Sequence, residues 1–257
     1  MHILITGASG RIGSALADGL QGRHDLRLTD RVIAANAPDH SCVIADLATD
    51  DLAGLCDGID AIVHLAGHPN SRDWAIVDEA NVLASRRLAE AAVRAGVSRF
   101  LYASSIHVCG LLPADVPLSE DLPYAPDSPY GVSKAMVEML LRYAAERHGL
   151  STVAWRICSF RPEPGNAREL RTWLSPADMV RCAEAALTAD LPGFSTLWGL
   201  SNNSRAPIDR SGWDRIGYTP QDDAQAHADR LHSAGFDVSL VSEWPLLGGA
   251  VADAAGF

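Results

Sequence analysis

The chain lacks both a long apolar run and an excess of positive charge. Nowhere do about 18 apolar residues follow one another, and the N-terminus enters a short apolar segment without a basic leader, so we expect neither a membrane span nor export. Acidic residues outnumber basic ones by 32 to 21, whereas a phosphate-binding surface needs an excess of Lys and Arg. The composition therefore predicts a cytoplasmic protein without a nucleic-acid or membrane partner.

The sequence also lacks cysteines at the spacings that are typical of disulfide frameworks or metal sites. Its five cysteines are odd in number, far apart and without any Cys-x-x-Cys spacing, which predicts reduced thiols that fill the core. Nine histidines are scattered along the chain, and no acidic loop has the spacing of a calcium site. We therefore expect neither a disulfide framework nor a metal site.

The remaining pattern is an alternation of short apolar runs with longer amphipathic segments. Such alternation predicts an α/β fold with a doubly wound parallel sheet of the Rossmann type, in which the C-terminal part forms a small cap over the substrate. We expect one domain over 1–257, with a dinucleotide-binding core at 1–158 and mainly capping segments at 159–257. The predicted strands are Ile3–Thr6, Leu26–Thr29, Cys42–Ala45, Ala61–Leu65, Phe100–Ser104 and Thr152–Ile157, and the predicted helices are Arg11–Gln21, Asp73–Ala95, Tyr130–His148 and Pro176–Ala189.

A glycine-spaced turn follows the first predicted strand. Gly7, Gly10 and Gly13 permit a tight turn, close approach of the backbone to a pyrophosphate and close packing of the next helix, whose N-terminus attracts the anion. Ser9, Arg11 and Ile12 lie within the same turn. Because the turn lies between a strand and a helix, it predicts a dinucleotide site.

An acidic residue at the end of the second predicted strand indicates which dinucleotide is bound. Asp30 follows Gly13 at close to the spacing at which a carboxylate accepts the adenosine ribose hydroxyls, and this favours NAD over NADP. Arg31 and Arg11 could instead meet a 2′-phosphate, although a solvated surface arginine is the preferred interpretation. Asp46 and Leu47 suit a contact with the adenine edge, and Asp46 alternatively suits a helix cap.

Three residues downstream predict the chemistry. Tyr130 and Lys134 are i and i+4, so they share one helix face, where the ammonium is expected to lower the tyrosine pKa and make it a usable base. Ser105 lies upstream of both at the end of a predicted strand, at the sheet edge where open α/β sheets bind ligands. Together with the glycine turn, this trio predicts hydride transfer on an alcohol or carbonyl.

The motifs in this order resemble the extended short-chain dehydrogenases/reductases, the NAD-dependent epimerase/dehydratase superfamily. The resemblance rests on Thr-Gly-x-x-Gly-x-x-Gly, His64-Leu-Ala-Gly67, Asn81, Ser105 and Tyr130-x-x-x-Lys134, and it spans nearly the whole chain. It implies a Ser-Tyr-Lys triad with Asn81 as an auxiliary, which also contacts the cofactor together with Leu65, Ala66, Gly67 and Ile157. It also implies a homodimer or larger homo-oligomer, with the helices Asp73–Ala95 and Tyr130–His148 at the contact.

A narrower resemblance connects the chain with uronate dehydrogenases and related archaeal NAD-dependent sugar dehydrogenases. It rests on Ala103-Ser-Ser-Ile-His107, Pro162-Glu-Pro-Gly-Asn-Ala-Arg168, Thr172-Trp-Leu-Ser175 and Trp198-Gly199. It implies substrate contacts from Ser105, His107, Tyr130, Ser159 and Arg168, and a guanidinium can hold a carboxylate by two parallel hydrogen bonds. The chain departs from these relatives at Ile106, Cys158 and Ala167, all at the substrate end.

The leading hypothesis is NAD-dependent oxidation of the anomeric C1 hydroxyl of a free sugar or sugar acid to a lactone. A nucleotide-sugar epimerase or dehydratase is the second hypothesis. The chain after Ile157 argues against it, because it is short and leaves little room for a nucleotide-diphosphate pocket. A non-catalytic NAD-sensing protein is the third, although such relatives usually lose the Tyr/Lys pair, and both residues are present here.

Overall fold

A computed structural model of the chain describes residues 1–32, 42–69 and 71–254. Nine strands are present in these ranges: β1 His2–Thr6, β2 Asp25–Asp30, β3 Cys42–Ile44, β4 Ala61–His64, β5 Arg99–Ser105, β6 Ser151–Ile157, β7 Ser159–Phe160, β8 Trp173–Leu174 and β9 Phe194–Gly199. All six predicted strands are confirmed, with only small differences at their ends, because each is an apolar run bounded by polar residues.

Seven strands form one parallel sheet in the order β3-β2-β1-β4-β5-β6-β9. The order reverses direction between β1 and β4, so the crevice at their carboxyl ends lies at the switch point where doubly wound sheets bind ligands. Strands β4, β5 and β6 are buried on both faces, as parallel strands covered by helices should be. The predicted Rossmann fold class is confirmed.

Ten α-helices flank the sheet or cover its edge within the described ranges: α1 Arg11–Leu20, α2 Ala53–Cys56, α3 Trp74–Val77, α4 Ala84–Ala95, α5 Pro129–His148, α6 Glu169–Thr172, α7 Pro176–Thr188, α8 Ser211–Ile216, α9 Ala228–Ser233 and α10 Ala250–Asp253. Ser175 caps α7, since its side chain accepts from the Asp178 amide. Gly96 and Gly149 end α4 and α5 with left-handed backbone, a conformation that glycine adopts without strain.

The predicted helix Asp73–Ala95 is interrupted. Asp73 caps α3, but a π-helical turn at Asp78–Leu83 separates α3 from α4. A π-helical turn places one extra residue in the ladder and is frequent at functional sites. The sequence did not predict this turn, because the apolar periodicity is helical on both sides of it.

Residues after 158 serve both the sheet and its cap. Strand β9 pairs with β6, and α7 packs against α1, so this part of the chain completes the core. Strands β7 and β8 instead pair with each other, and Ser159, Phe160 and Glu169 from β7 and α6 line the pocket at the strand ends. No helix within the described ranges is long and apolar enough to cross a membrane.

Candidate active site

The carboxyl ends of the sheet strands open onto a cavity of about 800 Å³. The structure brings together at its wall most of the residues predicted for the cofactor and the substrate. These are Gly7, Gly10, Arg11, Ile12, Gly13, Asp30, Arg31, Asp46, Leu47, Leu65, Ala66, Gly67, Ser105, His107, Tyr130, Lys134, Ile157, Ser159 and Arg168. Two predicted site residues, Ser9 and Asn81, do not line it.

The glycine turn forms one end of the cavity for steric reasons. Gly7 has φ +69°, and a side chain there would overlap the backbone of Ala66, while a side chain on Gly13 would overlap the Gly7 carbonyl. Gly10 is the N-cap of α1 and has no side chain to cap it, in contrast to the serine caps of α5 and α7. The first residues of α1 line the cavity, where their backbone amides could hold an anion.

The Asp30 carboxylate stands beside this turn. It accepts from the Ser9 amide at 3.0 Å and from the Arg31 amide at 2.7 Å. Ser9 thus contributes by orienting Asp30, and its hydroxyl donates to the Val32 carbonyl. A carboxylate held in place in this way can accept ribose hydroxyls, which is the feature that favours NAD.

Asp46 has two roles in the structure. Its carboxylate accepts from the Ala48 amide at 2.9 Å, which makes it the cap of a short turn, and it also lines the cavity with Leu47. The sequence left the capping and the adenine-edge roles open, and the geometry permits both at once.

Tyr130 and Lys134 lie on one face of α5, with Ser105 opposite at the end of β5. The Lys134 Nζ donates to the Ala103 carbonyl at 2.8 Å and lies 5.6 Å from the centre of the Tyr130 ring. Ser105 is 5% exposed and Lys134 4% exposed, so both are held within the wall. Lys134 is also the only lysine of the chain, a signal in the sequence that singles it out.

The pKa values differ from the expected direction. Burial raises the pKa of Tyr130 to about 12, and a hydrogen bond with Ser105 only partly opposes this. Burial also lowers the pKa of Lys134 to about 7, although the Glu138 carboxylate raises it. The expectation that Lys134 lowers the Tyr130 pKa is therefore wrong for the protein alone, because both groups are desolvated together.

Glu138 lies one helical turn beyond Lys134 and is fully buried. Arg156 donates to it through Nε at 3.1 Å and through Nη2 at 2.9 Å, and the Tyr124 hydroxyl donates at 2.9 Å. The charge of Glu138 is therefore compensated within the protein. It supplies the negative potential that favours the ammonium form of Lys134.

Asn81 lies in the π-helical turn, behind the cavity wall. Its Oδ1 accepts from the His68 amide at 2.7 Å, and its Nδ2 donates to the Ser133 hydroxyl at 2.9 Å. The Ser133 hydroxyl in turn donates to the Tyr130 carbonyl at 2.8 Å. Asn81 thus joins the loop at Gly67 to α5, and its geometry is that of a positioning residue.

A buried chain of hydrogen bonds continues from Asn81 to the phosphate turn. The Ser85 hydroxyl donates to the Asn81 carbonyl, so its oxygen accepts from His64 Nε2 at 2.8 Å, and His64 Nδ1 then accepts from the Thr6 hydroxyl at 2.7 Å. Burial lowers the pKa of His64 to about 3, so the ring stays neutral. Since His64 uses both ring nitrogens inside the protein, its role is structural.

At the substrate end, His107 is held by a buried carboxylate. Its Nδ1 lies 2.7 Å from Asp127 Oδ2, and the Asp127 side chain is fully buried. The His107 ring packs edge-on against Tyr130, with centroids 5.8 Å apart. Asp127 was not predicted as a site residue, because no local pattern in the sequence connects it with His107.

Arg168 and Ser159 face the cavity from the cap. The Arg168 Nη1 donates to the Ser159 hydroxyl at 3.4 Å, and that hydroxyl also contacts Thr172 at 2.9 Å. Cys158 lies between Ile157 and Ser159 in the wall, and burial raises the pKa of its thiol to about 12, which keeps it in the inert thiol form.

The last part of the wall was not predicted from the sequence. Trp244, Gly248, Ala250 and Val251 line the cavity. The described part of the C-terminus, through residue 254, is held in place by the Arg72 side chain, which donates to the carbonyls of Val251 and Ala254. The described ranges contain no cluster of three or more His, Cys, Asp or Glu that could hold a metal.

Comparisons with known proteins show the family of the chain. Residues 3–163 match the NAD-dependent epimerase/dehydratase family. A uronate dehydrogenase from Pseudomonas syringae pv. tomato is 37% identical over 230 residues, which cover 87% of this chain and 83% of that protein.

Solved structures extend the likeness to the whole chain. A mutant uronate dehydrogenase from Agrobacterium tumefaciens, complexed with NAD, is similar with a TM-score of 0.91 and 33% identity, covering 100% of this chain and 98% of that one. A glucuronic acid dehydrogenase from Chromohalobacter salexigens has a TM-score of 0.91 and 31% identity, covering 99% and 97%. These matches confirm the resemblance drawn from the motifs, and the chain belongs to the NAD-dependent epimerase/dehydratase family.

Proposed function

We propose that the protein oxidises the anomeric hydroxyl of a free uronate to the lactone, with NAD as the oxidant. One observation carries the choice of a sugar acid, namely that Arg168 lies in the same cavity as Tyr130, Lys134 and Ser105. A partly buried guanidinium at the far end of the cavity can hold a carboxylate, while the other three residues act at the reacting carbon. The uronate and glucuronic acid dehydrogenases that resemble the chain support the same choice.

The cavity residues fit NAD. The uncapped N-terminus of α1 would hold the pyrophosphate, Asp30 the adenosine ribose, and Lys134 the nicotinamide ribose. Leu65, Ala66, Gly67 and Ile157 would line the nicotinamide side. Bound NAD supplies the hydride acceptor and a positively charged ring beside Tyr130.

The protein's own residues would manage the proton and the substrate. The Tyr130 oxygen would take the hydroxyl proton as C1 loses its hydride, and Ser105 would orient the reacting oxygen. An ammonium has three donors, of which Lys134 uses one on Ala103, so two remain for the ribose and the phenolate. His107, Ser159 and Arg168 would hold the rest of the sugar.

One assay separates the proposed function from its alternatives. The protein is mixed with NAD and a panel of uronates, neutral aldoses and sugar phosphates, and NADH is followed by fluorescence. Steady NADH formation on a free uronate is the expected result. Sugar interconversion without net NADH would indicate an epimerase, and binding of NAD without turnover would indicate a sensor.

The carboxylate assignment has its own test in Arg168→Ala. We expect the KM for a uronate to rise about 100-fold, because a charge-assisted contact worth about 1.5–3 kcal/mol is lost. The kinetic constants for a neutral aldose should change little. An equal rise in KM for the uronate and for the neutral aldose would contradict the assignment of Arg168 to carboxylate binding.

We also propose a homodimer or larger homo-oligomer in the cytoplasm, where the five free thiols would stay reduced. The support for assembly is an exposed apolar stripe on α5 at Met136, Met139 and Tyr143, a spacing that places them on one helix face. Light scattering after size-exclusion chromatography should give at least twice the chain mass. Tyr143→Glu should lower that mass, whereas a wild-type monomer would contradict the proposal.

A further inference from the structure

The segment 243–251, called the strap below, closes the substrate end of the cavity. It runs beside the loop that follows His107, and three backbone hydrogen bonds fix it there: Gly248 to Gly110 at 2.9 Å, Leu247 to Leu112 at 2.8 Å, and Ala114 to Pro245 at 2.9 Å. Trp244, Gly248, Ala250 and Val251 contribute to the cavity wall. The strap is thus part of the wall that a substrate would meet.

The strap holds the head of Arg168 through one carbonyl. The Leu247 oxygen accepts from Arg168 Nε at 3.0 Å and from Nη2 at 2.6 Å. These two nitrogens form the side-on edge of the guanidinium, one of the two edges that can grip a carboxylate with parallel hydrogen bonds. Only the end-on edge, formed by Nη1 and Nη2 next to Ser159, is left for a ligand.

The strap also holds the backbone beneath Arg168. The two oxygens of Glu243 accept separately from the Ala167 amide at 2.6 Å and from the Arg168 amide at 3.1 Å. The strap therefore fixes both the backbone and the guanidinium group of Arg168. Glu243 does not line the cavity, so it would affect a ligand through the backbone that carries Arg168.

The opposite side of the strap abuts the partner of His107. A side chain on Gly248 would overlap Asp127 Oδ2, the oxygen that contacts His107 Nδ1. Gly248 is thus required for the strap to pass this close to the buried carboxylate. One segment therefore sets the positions of His107 and Arg168 relative to each other.

We propose that the strap determines substrate specificity, with Glu243 as the positioning residue that makes Arg168 present its end-on edge to the substrate carboxylate. This inference rests on the proposed uronate oxidation and deepens it. A sugar acid would be held between the Arg168 tip and His107, at a distance from Tyr130 that the strap fixes. A neutral sugar would gain nothing from the orientation of Arg168.

The test compares Glu243→Ala, Glu243→Gln and the control Glu146→Gln, whose side chain is 67% exposed on α5. For each variant, kcat and KM are measured with a hexuronate and with the matching neutral hexose, whose inhibition constant is used if it is not oxidised. NADH fluorescence reports whether the dinucleotide half is folded. If Glu243→Ala does not bind NADH, Glu243→Gln decides, since it keeps one acceptor oxygen.

We expect Glu243→Ala to raise the hexuronate KM about tenfold, roughly the loss of one hydrogen bond to a charged group. Glu243→Gln should give an intermediate rise, while kcat, NADH binding and the hexose constants stay within about twofold of wild type. An unchanged hexuronate KM, or an equal rise for the hexose, would overturn the role of the strap. Failure of the proposed function is a different outcome, in which wild type itself makes no NADH from any uronate.

Discussion

Replacement of the single lysine by methionine should make the protein more stable and inactive. In Lys134→Met, a straight apolar chain of similar length occupies the wall beside Tyr102, where the wild-type lysine is 4% exposed. Burial lowers the pKa of Lys134 from 10.5 to about 7, so the folded state is penalised for holding this amine charged. The substitution removes that penalty.

The size of the gain depends on pH. Since one pKa unit corresponds to about 1.4 kcal/mol, the depressed pKa implies a ceiling of about 5 kcal/mol, from which about 1–2 kcal/mol is subtracted for the lost bond to the Ala103 carbonyl. Between pH 7 and 10.5 the unfolded chain binds more protons at this residue than the folded one. The penalty is therefore complete below pH 7 and disappears as the pH rises to 10.5.

Urea denaturation of both proteins at pH 6.5 and at pH 10 tests this dependence. The variant should be more stable by about 3 kcal/mol at the lower pH, and equal or slightly less stable at the higher one. Because the chain has no other lysine, wild type labelled with ¹⁵N-lysine gives one side-chain signal, and its titration reports the Lys134 pKa directly.

Two results would refute the reasoning. A variant that is less stable than wild type at pH 6.5 would mean that the Lys134 hydrogen bond outweighs its desolvation. A gain of the same size at both pH values would show that protonation is not its cause.

Three further substitutions address the chemistry and the cofactor site. Tyr130→Phe should cut turnover about 10³-fold while NADH fluorescence shows nearly unchanged binding, because only the proton acceptor is lost. Turnover comparable to that of wild type would exclude Tyr130 as the proton acceptor. Gly13→Ala should weaken NAD binding at least about tenfold, since its Cβ overlaps the turn, whereas Gly54→Ala meets no atom and should bind normally. Asp30→Ala should raise the KM for NAD about tenfold and leave that for NADP unchanged or lower, and an unaltered preference would exclude Asp30 as the selector.

The cofactor half of the site could be predicted because its signals are local. The strand, the glycine turn and the helix follow one another directly between His2 and Leu20. Each can be recognised from its own short segment, by its apolar periodicity or by the spacing of its glycines. Tyr130 and Lys134 are likewise neighbours on one helix. Their positions at the strand ends followed from the topology of a doubly wound sheet.

The substrate half depends on contacts that no single segment contains. Glu243 meets the Arg168 amide from far along the chain, and Asp127 meets His107 across a loop between β5 and α5. The Tyr130 pKa was predicted in the wrong direction for the same reason, because its main cause is burial by the whole fold and not its helical neighbour. Only the assembled structure shows these effects.

The π-helical turn at Asp78–Leu83 has a consequence for how such a site can change. An α-helix rotates about 100° per residue, so the extra residue of this turn offsets the phase of α3 from that of α4 by roughly that angle. Packing of α4 against α5 fixes one side, and Asn81 lies where the offset arises. Deletion of a single codon here would restore a regular α-helix and turn the Asn81 amide away from His68 and Ser133. One mutational step would therefore break the hydrogen bonds that join the loop at Gly67 to α5.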